Sequence, residues 1–442
     1  MIKIYSVEEA KKTILRRDMA LEPEVPARLQ ASLDQLFGEG STPETAVSHL
    51  LRDVRQRGDA ALRDWTERID GVALDSLVVE KEALKTAVSN IPPDLLDALK
   101  LSASRVREFH EHQPLPSWET NALGGRLGQK VTPIKRVGVY VPGGTAPLPS
   151  SLLMSVIPAQ VAGVKELVIT TPPQRATGKI ADVILAAAHI CGVETVYQLG
   201  GAQAIGALAF GTASIPRVDK IVGPGGLFVT LAKRQVYGIV GIDGLYGPTE
   251  TAVIADDSAN PAWVAADLLA QAEHDVLATA ILFTPSRELG TAVQAEIGRQ
   301  TEVLSRDETI AISLANQGGI VITEDLAEAT QLADDFAPEH LCIATENPQQ
   351  WADQINCAGG IFLGERSFEV LGDYVAGPSH VMPTSGTARF ASPLSAVDFV
   401  RITSIIELDD ATSAKLSPAA ARIAQAELLT GHAEAALKRV KS

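Results

Sequence analysis

The stretch Arg136-Val-Gly-Val-Tyr-Val-Pro-Gly-Gly144 decides the fold. Its residues 137–141 carry no charge, and proline and glycine then stop the run. A short apolar run with a turn signal behind it predicts a strand buried on both faces. The same design recurs downstream. Strand candidates fall at 167–171, 195–199, 220–222, 251–254, 280–283, 319–323, 341–344 and 360–363. Helical periodicity fills the intervals, at 151–162, 181–190, 202–210, 228–240, 261–274, 287–299, 326–336 and 348–355. Strands alternating with helices of this length predict βαβ units and parallel sheet. So many strands call for two sheets, with Gly241, Gly244, Gly247 and Pro248 marking the crossing between them. The first 130 or so residues read as mostly helical. The last fifty, from about Ser392, return to helix, notably 418–439.

Composition bounds the function. The chain has 442 residues, enough for about three domains or two large ones. A net charge of −16 excludes a general nucleic-acid binder, which needs a basic footprint. A hydrophobic fraction of 46% excludes disorder over most of the length. Cys191, Cys342 and Cys357 form no C-x-x-C pair, and three cysteines make no disulfide scaffold, so a reducing, cytoplasmic setting is expected. The charged N-terminus lacks a signal-peptide core, and Pro158 and Gln160 interrupt the longest apolar run, so no membrane span is expected.

Active residues of a parallel sheet are expected on loops at the carboxyl ends of its strands. Three glycine-rich loops stand there, at 141–145, 200–203 and 223–226. Each suits close approach of a ligand or a simple tight turn, and none is a G-x-G-x-x-G fingerprint. Gln271 and His274 lie one turn apart on a helix. Such a pair can bind a metal, although glutamine is an unusual zinc ligand and a lone His there reads as solvated or capping. Glu339-His340 stands where a helix hands over to a strand and offers two proton-transfer groups. Asp373 is a candidate metal ligand or an ordinary turn residue, with His380 close behind it. Glu427 and His432 lie on the final helix and alone read as solvated. Cys342, inside an apolar strand, is expected to be a buried, inert thiol.

Together these fragments are more specific. The sequence resembles the histidinol dehydrogenase family across essentially its whole length. The matching stretches are 136–144, Gly200-Gly-Ala-Gln-Ala204, Gly247-Pro-Thr-Glu250, Gln271-Ala-Glu-His274, Pro338-Glu-His-Leu341, Gly372-Asp-Tyr374 and the segment 427–432. The resemblance implies a zinc- and NAD-dependent dehydrogenase that oxidises L-histidinol to L-histidine in two steps, at the end of histidine biosynthesis. It implies one zinc per subunit, held by Gln271, His274, Asp373 and His432, with His432 reaching the partner's site in an intertwined homodimer. Substrate would meet Thr249, His340, His380, Glu427 and the zinc ligands. Glu339 and His340 would be the acid–base pair. NAD would lie near Tyr140 and Gln203. Gly226 stands where the family usually has a cofactor-contacting asparagine, Thr249 replaces the usual serine, Leu245-Tyr246 replaces Pro-Ala, and Asp275-Val276 replaces Gly-Pro.

The expected architecture is α/β, with two Rossmann-like parallel-sheet domains, one inserted in the other. An N-terminal helical arm would cover 1–25. The first α/β domain would take 26–137 and 246–390 and carry the zinc and acid–base residues. The NAD-binding domain would be 138–245, and a helical tail, 391–442, would serve the partner. The alternatives are a family-related dehydrogenase of another small alcohol and a non-catalytic ligand-binding homologue.

Overall fold

A computed structural model describes residues 2–17, 26–143 and 146–440. Gly144, Thr145 and part of the expected N-terminal arm lie outside the described residues. Strand runs buried on both faces did form parallel sheet. The strands Arg136–Tyr140, Glu166–Thr171, Val196–Gln198, Lys220–Val222 and Gly241–Ile242 make a five-stranded sheet. Numbered along the chain, its order is 3-2-1-4-5, and every pairing is parallel. The strands Glu250–Ala255, Thr279–Thr284, Gly319–Ile322, His340–Ala344 and Gly360–Leu363 repeat that order in a second parallel sheet. All six residues of Glu250–Ala255 and of Thr279–Thr284 are buried. The chain crosses between the sheets after Gly241–Ile242, where the glycines cluster.

The N-terminal residues depart from the helical expectation. Ile4–Ser6 is an edge strand that pairs in parallel with Gly319–Ile322 and widens the second sheet to six strands. A short helix, Val7–Lys12, follows, opened by a capping box between Ser6 and Glu9. Three residues are too few to show strand periodicity. Arg17, at the end of the described arm, pairs with the buried carboxylate of Glu250 and donates to the carbonyl of Phe336 at 2.7 Å.

The helices Pro43–Arg57 and Asp59–Asp70 fall in the range expected with the second sheet. They pack instead in one core with the five-stranded sheet: Val47, Leu50, Val54 and Trp65 meet Leu199, Ile205, Leu208 and Val229. An apolar stripe shows that a helix is buried but not which sheet buries it. Asp70 ends the second of these helices, and one of its oxygens is buried without a partner. Burial pushes its carboxyl up to about 6, against the pull of Arg175. The folded chain therefore binds this proton more tightly than the unfolded chain. The contribution favours folding most below about pH 4, is lost as pH rises to about 6, and stays level above that. Asp70→Asn should remove the slope and raise stability at pH 7.5 by about 1–2 kcal/mol. Thermal midpoints of both proteins from pH 4.5 to 8 check this; a constant difference across that range contradicts it.

The described chain divides into two units. The first, Met1–His112 with Lys135–Asp398, holds both parallel sheets. The second, Gln113–Ile134 with Phe399–Ser442, corrects the expected helical tail. It contains a three-stranded antiparallel sheet in the order Val400–Glu407, Arg126–Pro133, Trp118–Thr120. These strands mix polar and apolar residues and so form no apolar run. The final helix is two helices, Asp410–Ala426 and Thr430–Lys438, with Leu428 between them at φ 62°. The buried core of this helical pair is only Ala421, Ala424 and Ala433. Ile402, Ile406, Ile423 and Leu428 stand exposed.

Candidate active site

Two neighbouring strands of the six-stranded sheet bring the expected residues together at their amino ends. Glu250–Ala255 pairs with His340–Ala344, and His340 lies opposite Thr251. Thr249 precedes one strand and Glu339 the other, so both reach the same edge. This corrects the expectation of carboxyl-end loops for this sheet. Apolar runs locate strands but do not reveal which end meets the ligand. The five-stranded sheet does contribute residues that follow its strands. Leu148, Ser151 and Pro224 join Tyr246, Thr249, His274, Glu339, His340, Asp373 and His380 around a cavity of about 170 Å³.

His340 is 3% exposed. Its Nδ1 donates to the carbonyl of Glu250 at 3.1 Å, which leaves Nε2 to act. Nε2 is buried without a hydrogen-bond partner and lies 3.5 Å from Asp373 Oδ1. Glu339 Oε2 and Glu369 Oε1 lie 3.8 and 3.9 Å from Nδ1. Burial pushes the imidazole pKa down, but the carboxylates of Glu369, Glu339 and Asp373 outweigh it and hold the pKa well above its ordinary value. Conversely, His340 holds the Asp373 carboxyl below its ordinary value despite burial. Three carboxyl groups surround one imidazole in a buried site, and burial raises two of them, Glu339 and Glu369, a setting in which a bound cation would favour their ionised forms.

Glu339 has ordered partners. Its Oε2 accepts from Thr249 Oγ1 at 2.6 Å and from the Glu250 amide at 3.0 Å. Thr249 Oγ1 in turn accepts from Gln271 Nε2 at 2.6 Å. That chain fixes the Gln271 amide, whose Oε1 is buried with no partner. Burial pushes the Glu339 carboxyl up to about 7, opposed by His340, Thr249 and the Glu250 amide. A carboxyl titrating there exchanges protons near neutral pH. His274 and His380 are both shifted down by burial, which favours neutral imidazoles. His380 Nδ1 donates to the Asp373 carbonyl at 2.8 Å, and its Nε2 lies 3.4 Å from Ser151 Oγ.

Glu369 was missed in the sequence. It is 1% exposed on the short helix Glu369–Tyr374, one turn before Asp373, and accepts from Thr251 Oγ1. Burial pushes its carboxyl up, against the pull of His340. Ligand-type atoms of His340, Glu369 and Asp373 lie within 4.8 Å of one another, a metal-like grouping among the described residues. The i, i+4 spacing of Glu369 and Asp373 was the available signal, hidden by apolar neighbours. Cys342 is 5% exposed, and burial raises its thiol well above the ordinary value, as an inert thiol requires.

Tyr140, Gln203 and Gly226 stand at the other sheet. The Tyr140 hydroxyl accepts from the Gly201 amide at 3.3 Å. Gln203 is fully buried on the helix Gly201–Phe210, and both its polar side-chain atoms lack partners. It lines a cavity of about 400 Å³ with Gly201, Phe228, Arg68 and Arg175. Thr170 and Thr171, at the carboxyl end of their strand, carry buried hydroxyls equally without partners. Gly226 opens the helix Leu227–Val236 at φ −68°, with open space where a Cβ would stand. Glu427 and His432 lie exposed in the second unit, on its helical hairpin.

The profile of the histidinol dehydrogenase family matches residues 38–440. A histidinol dehydrogenase of Deinococcus radiodurans is 51% identical over 419 residues, 94% of this chain and 95% of its own length. One of Dehalococcoides mccartyi is 47% identical over 442 residues, 99% of each chain. Among solved structures, the histidinol dehydrogenase of Elizabethkingia anophelis superposes with a TM-score of 0.90 at 32% identity, over 100% of this chain and 98% of its own. On matches of this extent, the chain belongs to the histidinol dehydrogenase family.

Proposed function

We propose that this protein oxidises L-histidinol to L-histidine through histidinaldehyde, with zinc and NAD. The observation that carries the reading is the hydrogen-bonded chain Gln271–Thr249–Glu339, whose Thr249 and Glu339 line one cavity with His340, His274 and Asp373. Zinc fits the donors present. The unpartnered Gln271 Oε1, the Asp373 carboxylate and a neutral His274 are mixed O and N ligands. His432 is the proposed fourth ligand, supplied by a second copy. Zinc would orient substrate nitrogens as a template.

NAD fits the unpartnered Gln203 amide and the glycine-lined carboxyl end of the five-stranded sheet, and two NAD molecules in succession would each accept one hydride. With a cation offsetting the carboxylates that hold it protonated, His340 would present a neutral Nε2 and take the alcohol proton in the first step. Glu339, near its pKa at neutral pH, activates the water that adds to the aldehyde. His340 again takes a proton in the second oxidation. Glu427 would orient the substrate imidazole from the partner copy. The homodimer is supported by the second unit itself, which exposes Ile402, Ile406, Ile423 and Leu428 and whose helical pair packs on three buried alanines. No helix among the described residues is long and apolar enough to cross a membrane.

The test is NADH formation from L-histidinol against a panel of other small alcohols. Histidinol as the preferred substrate supports the reading. Preference for another alcohol would replace the substrate, and no turnover with any would favour a binding protein. Gly226 supplies a further prediction. Asparagine fits its open space and ordinary φ, can cap the helix, and adds one hydrogen-bonding side chain toward the cofactor. Gly226→Asn should lower the KM for NAD about fivefold, the effect of one hydrogen bond, with the KM for histidinol unchanged. Steady-state kinetics with each substrate varied decide it.

A further inference from the structure

The helix Leu227–Val236 buries a lysine that none of these steps uses. Lys233 is 1% exposed. Its Nζ donates to the Gly223 carbonyl at 3.0 Å, pairs with Asp243, and lies 4.9 Å from the centre of the Tyr246 ring. The Asp243 carboxylate also accepts from the amides of Gly223 at 2.7 Å and Gly244 at 2.8 Å. One turn before Lys233, the Thr230 hydroxyl reaches the carbonyl of Tyr246 at 3.0 Å. One helix face thus grips two loops, 223–226 and 243–247, which follow the adjacent parallel strands Lys220–Val222 and Gly241–Ile242.

Both loops reach the cavity with His340, the first through Pro224 and the second through Tyr246 and Gly247, but they border different neighbours. The first lies against Tyr140: a Cβ at Gly223 would stand 2.1 Å from the Tyr140 carbonyl oxygen. The second puts Tyr246 and Gly247 into the cavity with His340 and leads directly to Thr249. We propose that Lys233 is a positioning residue that sets the spacing between the cofactor side and the substrate side of the cavity. The proposal rests on reading that cavity as a dehydrogenase site. An apolar core would hold this helix as firmly as a buried ion pair, so stability alone gives no reason for the lysine. What an apolar side chain cannot do is draw a carbonyl, a carboxylate and an aromatic face from two loops to one point. Hydride transfer needs that definition, since a displacement of about 1 Å can cost about 100-fold in rate.

The test compares Lys233→Met with the double variant Lys233→Met/Asp243→Asn. The single variant leaves the Asp243 carboxylate buried and unpaired, so its thermal midpoint should drop. The double variant removes both charges and should recover most of that midpoint. Its kcat with saturating NAD and histidinol should nevertheless stay at least about 10-fold below wild type. Hydrogen exchange of the substrate-free protein should show the amides of Gly223, Gly225 and Gly226 losing protection together with those of residues 244–247. A double variant that regains wild-type kcat with its stability, or loops that keep their protection, would overturn the proposal. If the wild-type protein forms no NADH from histidinol, the reading of the cavity fails, and the exchange of the two loops still decides whether Lys233 couples them.

Discussion

Replacing Glu339 by glutamine should slow the conversion of histidinaldehyde to histidine by about 10²–10⁴-fold, the usual contribution of a positioned general base. Glutamine keeps the volume, and its carbonyl can still accept from Thr249 and the Glu250 amide. What it lacks is a proton acceptor for water. The first oxidation, proposed to rely on His340 Nε2, should keep most of its rate. NADH per histidinol should then fall toward one, with aldehyde retained or released. His340→Ala should depress both oxidations by a similar factor while histidinol still binds. The loss in Glu339→Gln should not come from unfolding, because that change removes a buried charge rather than stranding one. Stopped-flow NADH traces, started from histidinol and from the aldehyde, separate the two half-reactions. Equal loss of both in Glu339→Gln would contradict the division of labour.

Asp373→Asn should abolish turnover through a different route. The substitution keeps the shape but removes the carboxylate proposed for the metal. Loss of supporting partners around a metal site costs about 10–100-fold in affinity, and loss of the charged ligand itself should cost at least about 100-fold. In the metal-free protein the same change removes one of the three carboxylates that raise the His340 pKa, so the imidazole should titrate lower than in wild type. Metal analysis after dialysis and NMR titration of the imidazole read the two effects separately. A variant that retains zinc at wild-type affinity would remove Asp373 from the ligand set.

The two parallel sheets were legible because their strands are buried on both faces and so appear as uninterrupted apolar runs. All nine expected strands formed within a residue or so of their expected ends. Strands with one solvated face were not legible. Arg126–Pro133 and Val400–Glu407 pair over eight residues, yet mix arginine, lysine, glutamine, threonine and serine with their apolar positions. Ile4–Ser6 was too short to show any period.

The site divides in the same way. Gln271, His274, Glu339 and Asp373 were visible as fragments, and only the resemblance joined them. The sheet register then explains the pairing of Thr249 with Glu339, which no local spacing displays. Glu369 and Lys233 escaped for a common reason. Charged residues on amphipathic helices normally face water, and both belong to the minority buried with partners.

A four-electron oxidation by one site is read out in the stoichiometry of NADH. Purified protein with zinc, limiting L-histidinol and excess NAD should yield two NADH and one histidine per histidinol consumed. Treatment with a chelator should stop the reaction, and added zinc should restore it. One NADH per histidinol, with the aldehyde as final product, or full activity in the chelated protein, would contradict the account.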